Sequence, residues 1–191
     1  MSQVESWPAW ATAPVVVAAP DPHWAGRGRE LAARLDELLA PWRSAPTEHV
    51  GSTAVPGLAA KAVLDLQVAV PGFGVTGDVL LALAPDGWHP VPPELDRRPW
   101  RRFFVLADGD RRIAHLHLLL DGGDRWRDQL AFRDALRADP RLAADYADTK
   151  RALAAAHPDD REAYTDGKAE FVRRVLDEFS PRGRSAPPWA P

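Results

Sequence analysis

Cysteine is absent from the 191-residue chain. That removes disulfides, thiol nucleophiles and cysteine-based zinc sites together, and with them any redox argument about compartment. Lysine is scarce: Lys61, Lys150 and Lys168 stand among 24 basic residues, the rest being arginine, a skew that coding bias accounts for. An excess of positive charge is missing too. Lys plus Arg at 24 against Asp plus Glu at 27 leaves a formal charge of -3, so no global basic field draws the chain to nucleic acid or to an anionic membrane. The uncharged stretch from Ala9 to Pro20 is broken by Pro14 and reaches about half of the roughly 20 apolar residues that a membrane span requires. Glu5 precedes it and no Lys or Arg does, a poor fit to a secretory signal with its positive n-region. The expected location is the cytoplasm.

What is present reads as one globular domain. At about 150 residues per domain the length leaves no room for a second, and 46% hydrophobic with 27% charged residues supports a sizeable core. Residues 1–13 and 180–191 are too irregular and too rich in breakers for an element and are expected to be tails, the last one disordered, around a domain over 14–179. Val15 to Val17 reads as a short β-branched strand. Asp21-Pro22 then supplies a start to a helix reaching about Ala40, with Leu31, Leu35, Leu38 and Leu39 on one face and Pro41 as its stop. Thr47 to Val50 and Ala62 to Val70 read as strands. Period two along the second places Leu64, Leu66, Val68 and Val70 on a core face, and Lys61, Val63, Asp65, Gln67 and Ala69 on a polar one. Gly77 to Ala84 is a short helix, and the prolines of Trp88 to Pro99 confine it to edge or loop. Trp100 to Leu106 and Ile113 to Leu120 flank an Asp-Gly pair, the signal of a β-hairpin, which puts His115 and His117 on one face. From Asp124 the pattern is helical, with breaks at Asp139-Pro140 and His157-Pro158. The fold class is therefore α+β: a mixed or antiparallel sheet with flanking helices and a helical C-terminal third.

The segment His49 to Gln67, which begins His-Val-Gly-Ser-Thr-Ala-Val-Pro-Gly-Leu, carries the chemistry. A Gly51-Ser52 pair leaving a strand lets backbone N–H groups and a hydroxyl approach a phosphate closely, and a carboxylate on the next strand offers oxygen to a magnesium ion. On this block the chain resembles the GrpB family of the nucleotidyltransferase superfamily, related in fold to DNA polymerase beta. Further matches are Asp21-Pro22, the His115-Leu116-His117 strand, the run Phe132 to Arg137 before Asp139-Pro140, and Tyr164 through Lys168 to Phe171-Val172.

The resemblance implies a nucleoside triphosphate site served by Mg²⁺, and transfer of a nucleotidyl group to a small acceptor. In the superfamily a Gly-Ser turn precedes a strand with two acids one residue apart, and a third acid lies on a neighbouring strand. Asp65 alone matches the pair, Gln67 replaces its second member with a neutral oxygen, and His115 and His117 fall where the third is expected. The implied roles are catalysis for Asp65, phosphate binding for Gly51, Ser52, Thr53, Lys61 and Arg102, and metal ligation for Asp65, Gln67, His115 and His117. Arg101 and Arg102 point to opposite faces, so at most one of them serves the site.

Two further readings use the same residues: a binder of nucleotides or phosphometabolites that has lost catalysis, and an adenylate-forming ligase. A Ser52, histidine and Asp65 hydrolase lacks a Gly-x-Ser-x-Gly elbow. His49 is a packed side chain as readily as a ligand. Arg133 and Arg137 read as a solvated face paired with Asp134 and Asp139, and the scattered tryptophans as core and loop packing rather than a base-stacking platform.

Overall fold

A computed structural model describes residues 16–179. The expected tails, and Val15 of the expected first strand, lie outside the described residues. Val16 and Val17 make no strand of the sheet. Ala18 alone bridges to Ala60, and Pro20 follows without an N–H to extend the ladder.

Helix α1 (Trp24–Leu38) starts after Asp21 Oδ1 accepts the His23 N–H at 2.8 Å, and buries Leu35 and Leu39 completely. Strand β1 (Glu48–Val50), β2 (Leu64–Val70), helix α2 (Thr76–Leu83) and β3 (Trp88–Val91) follow. The short α3 (Pro93–Asp96) leads into the hairpin of β4 (Arg101–Asp108) and β5 (Arg111–Leu120). The five strands lie in the order β1-β2-β5-β4-β3, with β2 and β5 parallel and the other pairs antiparallel. The sheet is mixed, and β3, with its proline, is an edge as its composition demands. The hairpin turns through Gly109 at φ +55°.

One face of the sheet is core. Leu64, Leu66, Val68 and Val70 of β2, Leu116 and Leu118 of β5 and Phe104 of β4 pack against α1 and α2. Each such side chain contributes about 1.5–3 kcal/mol by leaving water. The opposite face divides. Its far half is covered by α4 (Asp124–Ala138), so that Gln67 and Ala69, expected on an open polar face, are fully buried. Its near half, at Asp65, stays partly open.

Asp139 caps α5 (Pro140–Ala156), accepting from the N–H groups of Arg141 and Leu142, as Asp-Pro at a helix start should. The stretch around Tyr164 to Phe179 is two helices, α6 (Arg161–Asp166) and α7 (Ala169–Phe179), instead of one. The break falls at Gly167, where a Cβ would lie 2.4 Å from Leu153 Cδ2 of α5. Tyr146, Phe171 and Val175 of these helices form a second core with Val55, Leu58 and Ala59, which fastens the helical third onto the loop after β1. Among the described residues no helix is long and apolar enough to cross a membrane.

Candidate functional site

The site lies where β1 ends, β2 begins and β5 runs beside them. Gly51 holds φ at +69°, a region a side chain resists, and a Cβ there would sit 2.5 Å from Asp65 Oδ2. The bare backbone of Gly51 therefore lies against the Asp65 carboxylate. Ser52 to Ala54 coil into a single 3-10 turn after it.

Register brings the acid and the histidines together. Asp65 pairs with His115 and Gln67 with His117 across the parallel β2–β5 ladder, so these side chains share one face. His115 Nδ1 lies 2.9 Å from Asp65 Oδ1, and His117 Nε2 lies 3.6 Å from the same oxygen. Phe103, opposite His117 on β4, packs its ring 5.1 Å from the His115 ring and 5.2 Å from the His117 ring. Burial alone would raise the Asp65 carboxyl, but the hydrogen bonds from both imidazoles outweigh it and hold the group well below the carboxylate range. Burial, with Arg101 adding to it, pushes His117 down to about 4. Burial also lowers His115, against the pull of Asp65. Both shifts favour the neutral imidazole.

Arg101, not Arg102, faces this cluster. Its Nη1 donates to His117 Nδ1 at 2.6 Å, while Nε donates to Asp96 Oδ2 at 2.8 Å and Nη2 to Asp96 Oδ1. Arg102 turns to the other face, where its guanidinium lies 4.3 Å from the Phe73 ring centre and bonds the carbonyls of Arg101 and Pro99. That corrects the expectation for Arg102: the registry of Phe103 with His117 fixes which parity of β4 meets the site.

Thr53 is likewise turned away. It is 3% exposed, donates Oγ1 to the Val63 carbonyl and meets His49 Nε2 at 3.0 Å. His49 is the packed histidine of the two readings: burial takes it to about 4, and Gly28 lies so close that a Cβ there would stand 2.1 Å from its Nδ1. Gln67 sits beneath α4, its Nε2 donating to the Trp126 carbonyl. Its Oε1 has no hydrogen-bond partner among the described residues.

The three lysines converge here. Lys150 of α5, 2% exposed, donates to Ser52 Oγ at 3.0 Å and to the Ala59 carbonyl, and burial lowers its pKa to about 7. Lys61 and Lys168 both lie over the Tyr164 ring, at 4.2 and 4.5 Å from its centre. Burial lowers Lys168 to about 8, against the attraction of Asp65. Burial raises Tyr164 to about 12. Lys150 was not among the expected site residues, although it falls four residues after Tyr146 on the apolar stripe of its helix, where a lysine needs an internal reason.

Arg133 and Arg137 are braces rather than a solvated face. Arg133, 9% exposed, donates to Glu48 Oε2 at 2.6 Å and to the His49 carbonyl at 3.1 Å, besides its pairing with Asp134. Arg137 donates Nε to the Ala54 carbonyl at 2.9 Å. Together they tie α4 to β1 and to the turn that carries Ser52.

A family model described as GrpB protein matches residues 14–178. The chain belongs to the GrpB family. A UPF0157 protein of Pseudomonas aeruginosa is 44% identical over 137 residues, 68% of this chain and 53% of its own length, so the chain spans about half of that relative. The crystal structure of the conserved protein GrpB from Enterococcus faecalis is similar at TM-score 0.75 and 29% identity, over 85% of this chain and 96% of that one. The structure of the GLD-2/RNP-8 complex follows at TM-score 0.56 and 13% identity, over 84% of this chain and 61% of that one. At that identity the likeness is one of fold, and the fold of this GrpB chain is nucleotidyltransferase-like.

The fold type implies magnesium, and the donor set does not fit it. Mg²⁺ demands hard oxygen ligands near octahedral geometry. Among the described residues, the group near enough to share an ion is Asp65, His115 and His117, one carboxylate with two nitrogens. The position of the second acid is Gln67, buried under α4.

Proposed function

We propose that this GrpB chain binds the polyphosphate of a nucleoside triphosphate at the Gly51-Ser52 turn and transfers the nucleotidyl group to a small acceptor. The observation that carries the reading is the convergence of all three lysines on one site in a chain that otherwise uses arginine. A lysine ammonium is a compact point charge that follows a flexible anion, and Lys61 and Lys168 both stand over the Tyr164 ring. The Ser52 hydroxyl, which accepts from Lys150 and is also hydrogen-bonded to Tyr146, stands at the turn where these ammoniums gather. The cytoplasm, where nucleoside triphosphates are supplied, is the compartment this reading calls for.

In the transfer an acceptor oxygen attacks the α-phosphorus and pyrophosphate leaves. Acceptor-dependent release of pyrophosphate from ATP, GTP, CTP or UTP tests it, and release of AMP together with a second product would instead mark the adenylate-forming ligase. A second reading, binding without transfer, is favoured by Gln67, which sets a buried neutral amide where the superfamily has an acid. Saturable triphosphate binding with no pyrophosphate released or exchanged would establish it.

A further inference from the structure

We infer that this site binds its polyphosphate without a divalent cation, the protein's own guanidinium and ammonium groups supplying the positive charge. The inference deepens the triphosphate reading above and rests on it for the identity of the anion; the argument about the cation does not.

The polarity of the hydrogen bonds is decisive. A histidine that holds a metal presents a lone pair to the ion and donates its other ring N–H to a carboxylate, carbonyl or water. Here the outer nitrogens meet arginines. His117 Nδ1 accepts from Arg101 Nη1 at 2.6 Å, and His115 Nε2 lies 3.5 Å from Arg112 Nη1. Arginine in a protein has no lone pair to offer and does not lose its proton. A neutral ring that accepts on its outer nitrogen carries its proton on the inner one. Both inner nitrogens therefore point N–H groups at Asp65 Oδ1, where a cation would need lone pairs.

Arg101 cannot retreat to let His117 change tautomer. Asp96 grips it through two N–H groups, and both residues are buried, at 9% and 7% exposure. Moving the proton to Nδ1 would set N–H against N–H across a short contact. Charge points the same way. Arg98, Arg101, Lys150 and Lys168 gather around Asp65 and Tyr164, and Asp96 is already committed to Arg101 and Arg98. A divalent cation entering there meets net positive charge, whereas a polyphosphate meets its complement.

The test uses the full chain, with ATP as the anion probe. Calorimetric titration in EDTA should give an affinity no weaker than in excess Mg²⁺, because magnesium masks the charge the site recognises. A loss of about tenfold or more in EDTA, restored by Mg²⁺, Mn²⁺ or Zn²⁺, would overturn the inference. If ATP binds in neither buffer, the triphosphate reading fails, and two measurements on the protein alone still decide this one. Mn²⁺ and Zn²⁺ added without nucleotide should show no saturable site; a stoichiometric site that disappears in Asp65→Asn overturns it. Nitrogen-15 NMR of the imidazoles should find His117 protonated at Nε2, and protonation at Nδ1 would refute it even if a variant failed to fold.

Discussion

Lys150 offers a perturbation whose sign and size follow from its surroundings. The ammonium is 2% exposed, held by Ser52 Oγ and the Ala59 carbonyl, and burial takes its pKa from 10.5 to about 7. The folded pKa is depressed, so between about pH 7 and 10.5 the unfolded chain binds the proton and the folded chain does not. Stability from this residue is full above that window and is lost as pH falls to about 7, at a slope approaching about 1.4 kcal/mol per pH unit. Lys150→Met keeps the apolar stem and removes the titration. It also removes the ammonium donor from Ser52 Oγ and from the Ala59 carbonyl, at a cost of about 1–3 kcal/mol, offset at neutral pH by no longer burying a charge. Urea unfolding of both proteins across this range should show the wild-type advantage growing by about 3 kcal/mol from pH 7 to 9.5. Lys168, lowered to about 8, titrates in the same window but is present in both proteins and largely subtracts out. A stability difference that stays flat across the range would mean that Lys150 keeps its proton throughout, and the argument from burial would be refuted.

Gly51→Val should abolish ATP binding and lower the melting temperature, since the strained φ of +69° and the contact with Asp65 Oδ2 act together. Gly57→Ala, at φ +74° with nothing within 4 Å of the added Cβ, carries the backbone strain alone and should destabilise by about 1–2 kcal/mol in thermal melts without touching ATP affinity. Ser52→Ala should weaken ATP binding by about 1–3 kcal/mol in calorimetry, the range for a charged ligand left one hydrogen bond short. Arg133→Met should cost about 1–3 kcal/mol in urea unfolding through the lost ties to Glu48 and the His49 carbonyl, where a solvated residue would cost next to nothing.

How much of this was legible depends on whether the signal was local. The hairpin was, because Asp-Gly between apolar runs has few other uses, and so was α5, announced by Asp139-Pro140. The sharing of a face by Asp65 and Gln67, and by His115 and His117, follows from period two within each strand. Their meeting across strands needed β5 beside β2, which the family resemblance implied, and the parallel register of the pair, which the structure shows. Choosing Arg101 over Arg102 needed the register of β4 on β5, which no local pattern encodes. Thr53 was misplaced because a 3-10 turn rotates successive side chains, so the hydroxyl beside Ser52 points to Val63 and not outward. Lys150 reaches Ser52 from 98 residues away. Arg133 looked solvated because helical spacing alone does not show that β1 lies beside it.

A triphosphate held through Lys61 and Lys168 must lose affinity when either ammonium is removed. The most direct measurement is calorimetric titration of ATP into the wild-type chain and into Lys61→Met and Lys168→Met, with melts of all three. Saturable binding to the wild type is expected, with a loss of about tenfold or more in each variant at little change in melting temperature. Wild-type protein that takes up no ATP, or variants that bind it as tightly as the parent, would contradict it.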